Sequence, residues 1–222
     1  MAQLASRQAN LGTETAFETL AKAKELERQG KSIIHLEIGE PDFDTPLHIR
    51  DAAKKALDDG FTHYGPSAGQ LELRESIAKH QTERQGYEVS ADNVIVTPGG
   101  KPVMFFTIMA LVEQGDEVIY PNPGFPIYES MIRYMGGTPI PMQLNEETGY
   151  NADIDALKSL VTPRTKLMIV NSPNNPCGSV IPETDLEGLA EIALENDIIC
   201  LLYTSDAADD TPCVDLGGRR II

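Results

Sequence analysis

The 222-residue sequence has no tryptophan, only 6% aromatic residues, three cysteines and four histidines. Cys177, Cys200 and Cys213 form an odd, widely spaced set without a C-x-x-C pair, so neither a zinc site nor a disulfide framework is indicated. His35, His48, His63 and His80 show no ligand spacing, and each reads as an ordinary surface or core residue. Positive charge is scarce: 18 Lys and Arg stand against 34 Asp and Glu, a net charge of -16. General nucleic-acid binding needs the opposite balance to neutralise phosphates and is disfavoured. An acidic surface of this kind reads as solubility. No stretch approaches the roughly 20 apolar residues of a membrane span. The N-terminus, MAQLASRQANLGTETAF, lacks the apolar core of a signal peptide, so no membrane partner and cytoplasmic residence are expected. What is present, 41% hydrophobic and 23% charged residues without repeats, is the composition of a globular protein.

Helical spacing over Thr13–Gln29, ended by Gly30, predicts a first helix. The run Ile33–Ile38 reads as a strand, and the Pro- and Gly-containing segment 39–46 as a loop. Helices are expected over Leu47–Asp59 and Leu71–Gly86, separated by the Gly/Pro-rich loop 62–70. The chain then alternates. Strands are expected at Asn93–Thr97, Glu117–Tyr120, Thr138–Leu144, Leu167–Asn171 and from Ile198 onward. Helices are expected at Lys101–Gln114, Pro126–Met135, Ile154–Leu160 and Leu186–Glu195. Such alternation means βαβ units and a parallel sheet. Ligands of such sheets sit beyond the carboxyl ends of the strands.

Three loops lie there. In Pro98-Gly99-Gly100-Lys101-Pro102 two glycines allow close backbone approach, and the helix start offers amide N–H groups and a partial positive charge. The loop is an anion site or a tight βα turn with no ligand, and taken alone it slightly favours the plain turn. Neither the Walker spacing nor G-x-G-x-x-G occurs. In Ser172-Pro173-Asn174-Asn175-Pro176-Cys177-Gly178 the amide of Asn175 can both donate and accept, or the segment is a plain Asn-Pro turn. Phe125, in Pro121-Asn122-Pro123-Gly124-Phe125, can stack on a flat ring or serve as core packing.

Five stretches in this order resemble the class I/II aminotransferases of the pyridoxal-phosphate fold-type I superfamily. They are Gly39-Glu40-Pro41-Asp42-Phe43, Tyr64-Gly65-Pro66-Ser67-Ala68-Gly69, Thr97-Pro98-Gly99-Gly100-Lys101, Pro121–Phe125 and Asn171–Gly178. The resemblance implies a three-layer α/β fold with a mostly parallel sheet, in which residues 1–46 form an N-terminal arm and small-domain segment and 47–199 part of the cofactor-binding large domain. It implies pyridoxal 5′-phosphate as cofactor, with Gly99, Gly100 and Lys101 at its phosphate, Phe125 on its ring and Asn175 at its phenolic oxygen. Gly39 would give its N–H to the substrate carboxylate, and Tyr64 would reach the phosphate of a neighbouring subunit, which implies a homodimer. The implied reaction is amino transfer between an amino acid and a 2-oxo acid. A C–S lyase on the same scaffold and a non-catalytic aminotransferase-like binding domain are the alternatives.

The resemblance fails from position 200. The family places an Asp that pairs with the ring nitrogen at about position 203, where this chain has Tyr203. The Schiff-base lysine is not matched by any residue, so no catalytic residue is assigned and the chain by itself is expected to be inactive. Cys200–Asp209 and Cys213–Ile222 agree residue by residue with translations of a transposase sequencing-library adapter. Residues 200–222 are therefore read as a non-native tail. Different codons across that stretch would overturn this reading.

Overall fold

In a computed structural model the described residues are 4–12, 15–38 and 43–204. Contacts divide the chain into two compact units, Gly39–Thr97 and the remainder, Met1–Ile38 with Pro98–Ile222. The larger unit holds a four-stranded sheet with strands β1 (Glu117–Asn122), β2 (Thr138–Gln143), β3 (Thr165–Asn171) and β4 (Ile199–Tyr203). Its order is β2-β1-β3-β4 and every pairing is parallel. The helices of this unit are α1 (Thr15–Arg28), α4 (Gly100–Leu111), α5 (Ile127–Met135), α6 (Ile154–Leu160) and α7 (Glu183–Glu195).

The strands are apolar on both faces because both are covered. Val118, Tyr120, Leu167, Ile169, Leu201 and Tyr203 face one core, with Met104 and Ile108 of α4 and Tyr128 and Ile132 of α5. Ile119, Met168, Val170, Cys200 and Leu202 face the other, with Leu157 of α6 and Leu189 and Ile192 of α7. The period-2 alternation of a strand thus sorts neighbouring residues into two cores, giving three layers. Burial pushes the Cys200 thiol up to about 11, so it stays protonated as a small core residue.

One acid is deeply placed. Glu117, 5% exposed at the start of β1, accepts from Thr162 Oγ1 at 2.6 Å and from the Arg164 guanidinium. The Thr162 hydrogen bond, more than the Arg164 charge, holds its carboxyl below the usual range against the opposing effect of burial. A depressed folded pKa contributes stability that is present above the unfolded value, 4.5, and lost as pH falls through the folded one. Thr162→Val is accordingly expected to cost about 1–2 kcal/mol at neutral pH. Its deficit in urea midpoint should shrink as pH drops below the unfolded value. A deficit that is constant with pH contradicts this account.

The smaller unit carries α2 (Leu47–Asp58) and α3 (Leu71–Gln85). Arg74 of α3 donates from Nε to Val94 O at 3.0 Å and from Nη2 to Ala91 O at 2.6 Å, which ties the 3-10 turn Ala91–Asn93 to the helix.

Two expected strands do not form among the described residues. Residues 33–38 and 93–97 have no strand pairing, although Val94 is extended (φ -115°, ψ 128°). An apolar β-branched run becomes a strand only when a ladder partner accepts its backbone groups. His35 instead lies between Glu27 (2.9 Å) and Glu37 (2.6 Å), whose hydrogen bonds raise its pKa. The expected helix over Lys101–Gln114 ends at Leu111, where Val112 turns extended and Gly115 takes φ +99°. The last helix starts three residues earlier than its apolar spacing indicates, because Pro182 precedes it and Glu183 and Asp185 suit its first turn.

Candidate functional site

The strand order sets the place. From β1 the chain passes through α5 to β2 on one side, then through α6 to β3 on the other side of β1. The loops leaving the carboxyl ends of β1 and β3 therefore diverge, and a crevice opens between them. The first loop carries Phe125 and the second Asn175.

Gly124 shapes the first loop. A Cβ there would lie 2.2 Å from the Pro121 carbonyl oxygen, so only glycine permits this bend. The bend leaves Phe125 half-buried, edge-on to Tyr128 with centroids 6.0 Å apart. The ammonium of Lys101 stands 5.6 Å from the Phe125 centroid and 5.5 Å from that of Phe17 on α1.

Lys101 belongs to the first turn of α4. Gly99 caps that helix at φ +91°, and nothing lies within 4 Å of where its Cβ would be. Gly100 is buried, and its Cβ would come 3.2 Å from Cε2 and Oη of Tyr203 at the end of β4. The first amides of a helix have no acceptor within the helix and carry about half a positive charge together. No acidic residue lies in this first turn, and Lys101 adds a full positive charge. A cationic, glycine-lined spot is thus set into a chain of net charge -16.

The second loop hangs on Asn171, 2% exposed at the end of β3. Its side chain accepts from the Asn175 N–H at 2.8 Å and donates to Pro173 O at 2.9 Å and Tyr203 O at 3.0 Å. Asn174 N–H donates to Ser179 O at 2.8 Å and Gly178 N–H to Asn174 O at 2.7 Å, closing the loop from its other side. The Asn175 side chain is exposed. A continuous path of contacts therefore runs from Phe125 through Lys101, Gly100 and Tyr203 to Asn171 and Asn175. Gly39 lies outside the described residues, and Tyr64 is fully exposed on the smaller unit.

The profile of the family described as "Aminotransferase class I and II" matches residues 31–202. The chain belongs to the class I and II aminotransferases. An aspartate/prephenate aminotransferase of Thermus thermophilus is 45% identical over 177 residues, 80% of this chain and 46% of the relative. A probable aspartate/prephenate aminotransferase of Aquifex aeolicus is 41% identical over 89% of this chain and 50% of its own length. The solved aspartate aminotransferase of Thermus thermophilus with maleate superposes with a TM-score of 0.88 at 40% identity, covering 92% of this chain and 53% of that one. This aminotransferase chain thus spans about half the length of the curated relatives it matches. The fold is that of the fold-type I enzymes, and the family implies pyridoxal phosphate.

The residues fit one part of that cofactor and not another. The open space over Gly99 and the cationic helix start suit a phosphate, and Phe125 and Asn175 offer a ring face and an amide. The resemblance expects the ring-nitrogen carboxylate at about position 203, where this chain has the buried Tyr203, one residue past the family match and inside the stretch read as a non-native tail. A phenol ordinarily stays neutral near pH 7 and supplies no charge to hold a ring nitrogen protonated. The sequence singles out Asn171, in the stretch Asn171–Gly178, and Tyr203, at the expected ring-nitrogen position, but gives no signal of the hydrogen bond between them. The one usable hint was an asparagine closing the apolar run Leu167–Val170, since a polar residue there must find partners.

Proposed function

We propose that this aminotransferase chain carries the phosphate- and ring-face-binding part of a pyridoxal-phosphate-dependent enzyme that exchanges an amino group between an amino acid and a 2-oxo acid. The observation that carries the reading is the cationic α4 start, with Gly99 at φ +91° under open space, beside Phe125 at the strand switch. Gly99, Gly100 and Lys101 would hold the phosphate, Phe125 the ring face and Asn175 the phenolic edge. When bound, the cofactor supplies an electron sink for bonds to the amino acid's α-carbon. The aspartate aminotransferase names of relatives 38–45% identical support an acidic amino acid as one substrate. Homodimer formation with Tyr64 reaching the partner, substrate-carboxylate binding at Gly39 and cytoplasmic residence belong to the same proposal.

We hold the chain by itself to be a binding unit and not a catalyst. The family pattern assigns no imine-forming lysine to any of its positions, and Tyr203 stands in place of the ring-nitrogen carboxylate. Pyridoxamine 5′-phosphate, which cannot form an imine with lysines, is the appropriate probe. It is expected to bind the 222-residue chain in competition with inorganic phosphate. Gly99→Ala, which puts a Cβ into the open approach at a backbone angle L-residues avoid, should weaken both by about tenfold. Binding unaffected by that change, or no binding of either compound, overturns the assignment.

A further inference from the structure

We propose that Asn171 is a positioning residue: it fixes the backbone from which Asn175 presents its amide, and it sets the spacing between that amide and the end of β4. The inference rests on the cofactor-site reading above and extends it to a residue that touches no ligand itself.

An asparagine side chain offers two donors and a carbonyl oxygen with two lone pairs. Asn171 uses both donors and the oxygen on three backbone groups, the Asn175 N–H, Pro173 O and Tyr203 O. Two partners lie in the loop after β3 and one at the carboxyl end of β4, all on the β3 side of the crevice. One buried amide thereby joins the edge bearing Asn175 to the edge bearing residue 203. The tie matters because Asn175 is exposed, which leaves little packing to orient its side chain. Only its peptide is held, on one side by Asn171 and on the other by the closed turn through Asn174, Gly178 and Ser179. A buried side-chain amide in a low-dielectric setting is an effective tie, since losing a partner strands the others. Phosphate capture at Gly99 and Gly100 does not pass through this loop; the ring of Tyr203 lies against Gly100, but the Asn171 side chain bonds only the backbone oxygen of Tyr203. Asn171 should therefore act on recognition of the ring and leave recognition of the anion alone.

The test is a double-mutant cycle on the 222-residue chain, read as equilibrium affinity for pyridoxamine 5′-phosphate and, separately, for inorganic phosphate. Asn171→Ala and Asn175→Ala are each expected to weaken pyridoxamine phosphate by about tenfold while phosphate affinity stays within about twofold. The double variant should be no weaker than Asn175→Ala, because the first residue works through the second. Asn171→Asp gives up both donors and turns a carboxylate oxygen toward Pro173 O and Tyr203 O, so it should lose the preference for pyridoxamine phosphate over phosphate as Asn171→Ala does. Additive losses in the double variant overturn the proposal. So does joint loss of both affinities in the Ala and Asp variants, which assigns Asn171 to the fold alone. An unvaried chain that binds phosphate without preferring pyridoxamine phosphate removes the ring-site reading itself, and the positioning role with it. A preference that survives Asn171→Ala removes only the positioning role.

Discussion

Hydrogen exchange on the intact chain is expected to sort its amides into two classes, with those of β1 and β3 exchanging at least about a thousandfold more slowly than those of α2. The reason lies in burial. Every residue of β1 except Asn122 is buried, and β3 is buried at all positions but Lys166. Both strands are central in the sheet, with a ladder partner on each side. The helix α2 has no buried residue, and it leaves Leu47, Ile49 and Leu57 at least half exposed. Isolated helices shorter than about 12–15 residues are marginal in water, and α2 is 12 residues long. Among the described residues 43–97, Ala78 alone is buried, so this unit has almost no core of its own. Amide exchange followed by fragment mass spectrometry measures the difference. Comparable protection of α2 and β3 would contradict it.

Truncating the centre of the sheet is expected to have the largest effect on stability. Ile169 is fully buried in β3, facing Met104, Ile108, Val118 and Leu201 across the core under α4 and α5. Ile169→Ala removes three carbons from a packed interior, at a cost of about 2–5 kcal/mol. That is a large share of the roughly 5–15 kcal/mol by which ordinary domains are stable. Leu194 of α7 is 73% exposed, and Leu194→Ala should change stability by no more than about 0.5 kcal/mol. Urea unfolding followed by circular dichroism compares the two. Equal effects would mean that β3 is not sandwiched as described.

What the sequence could reveal follows from which interactions are local. Ile154–Leu160 and Ile127–Met135 are helices within a residue of their expected bounds, because helical spacing and the flanking Pro, Asp and Gly residues act over a few positions. The parallel sheet was legible from the βαβ alternation. The strands expected at residues 33–38 and 93–97 were not realised, since strand identity depends on a partner that local pattern does not specify. In the candidate site, Gly99, Gly100 and Phe125 stand out by their place after expected strands, while their proposed roles come from the family resemblance. The hydrogen bond of Asn171 to Tyr203 could not be picked out, because it joins residues 32 apart. Nor could the contact of Tyr203 with Gly100, which depends on the packing of β4 beneath α4.

Strand β2 is the outer member of the sheet on its side, and it reads Thr-Pro-Ile-Pro-Met-Gln. Thr138 and Leu144 donate toward β1, to Asp116 O and Asn122 O. By the two-residue alternation of a strand, Pro139 and Pro141 then turn their missing N–H groups outward. A stray extended peptide arriving at this border meets two successive positions with no donor, which is how natural sheets discourage unwanted recruitment. At the opposite border Ile199–Tyr203 contains no proline. Among the described residues the sheet therefore offers an uninterrupted row of donors to an added strand only beside β4, four of whose five residues belong to the stretch read as non-native.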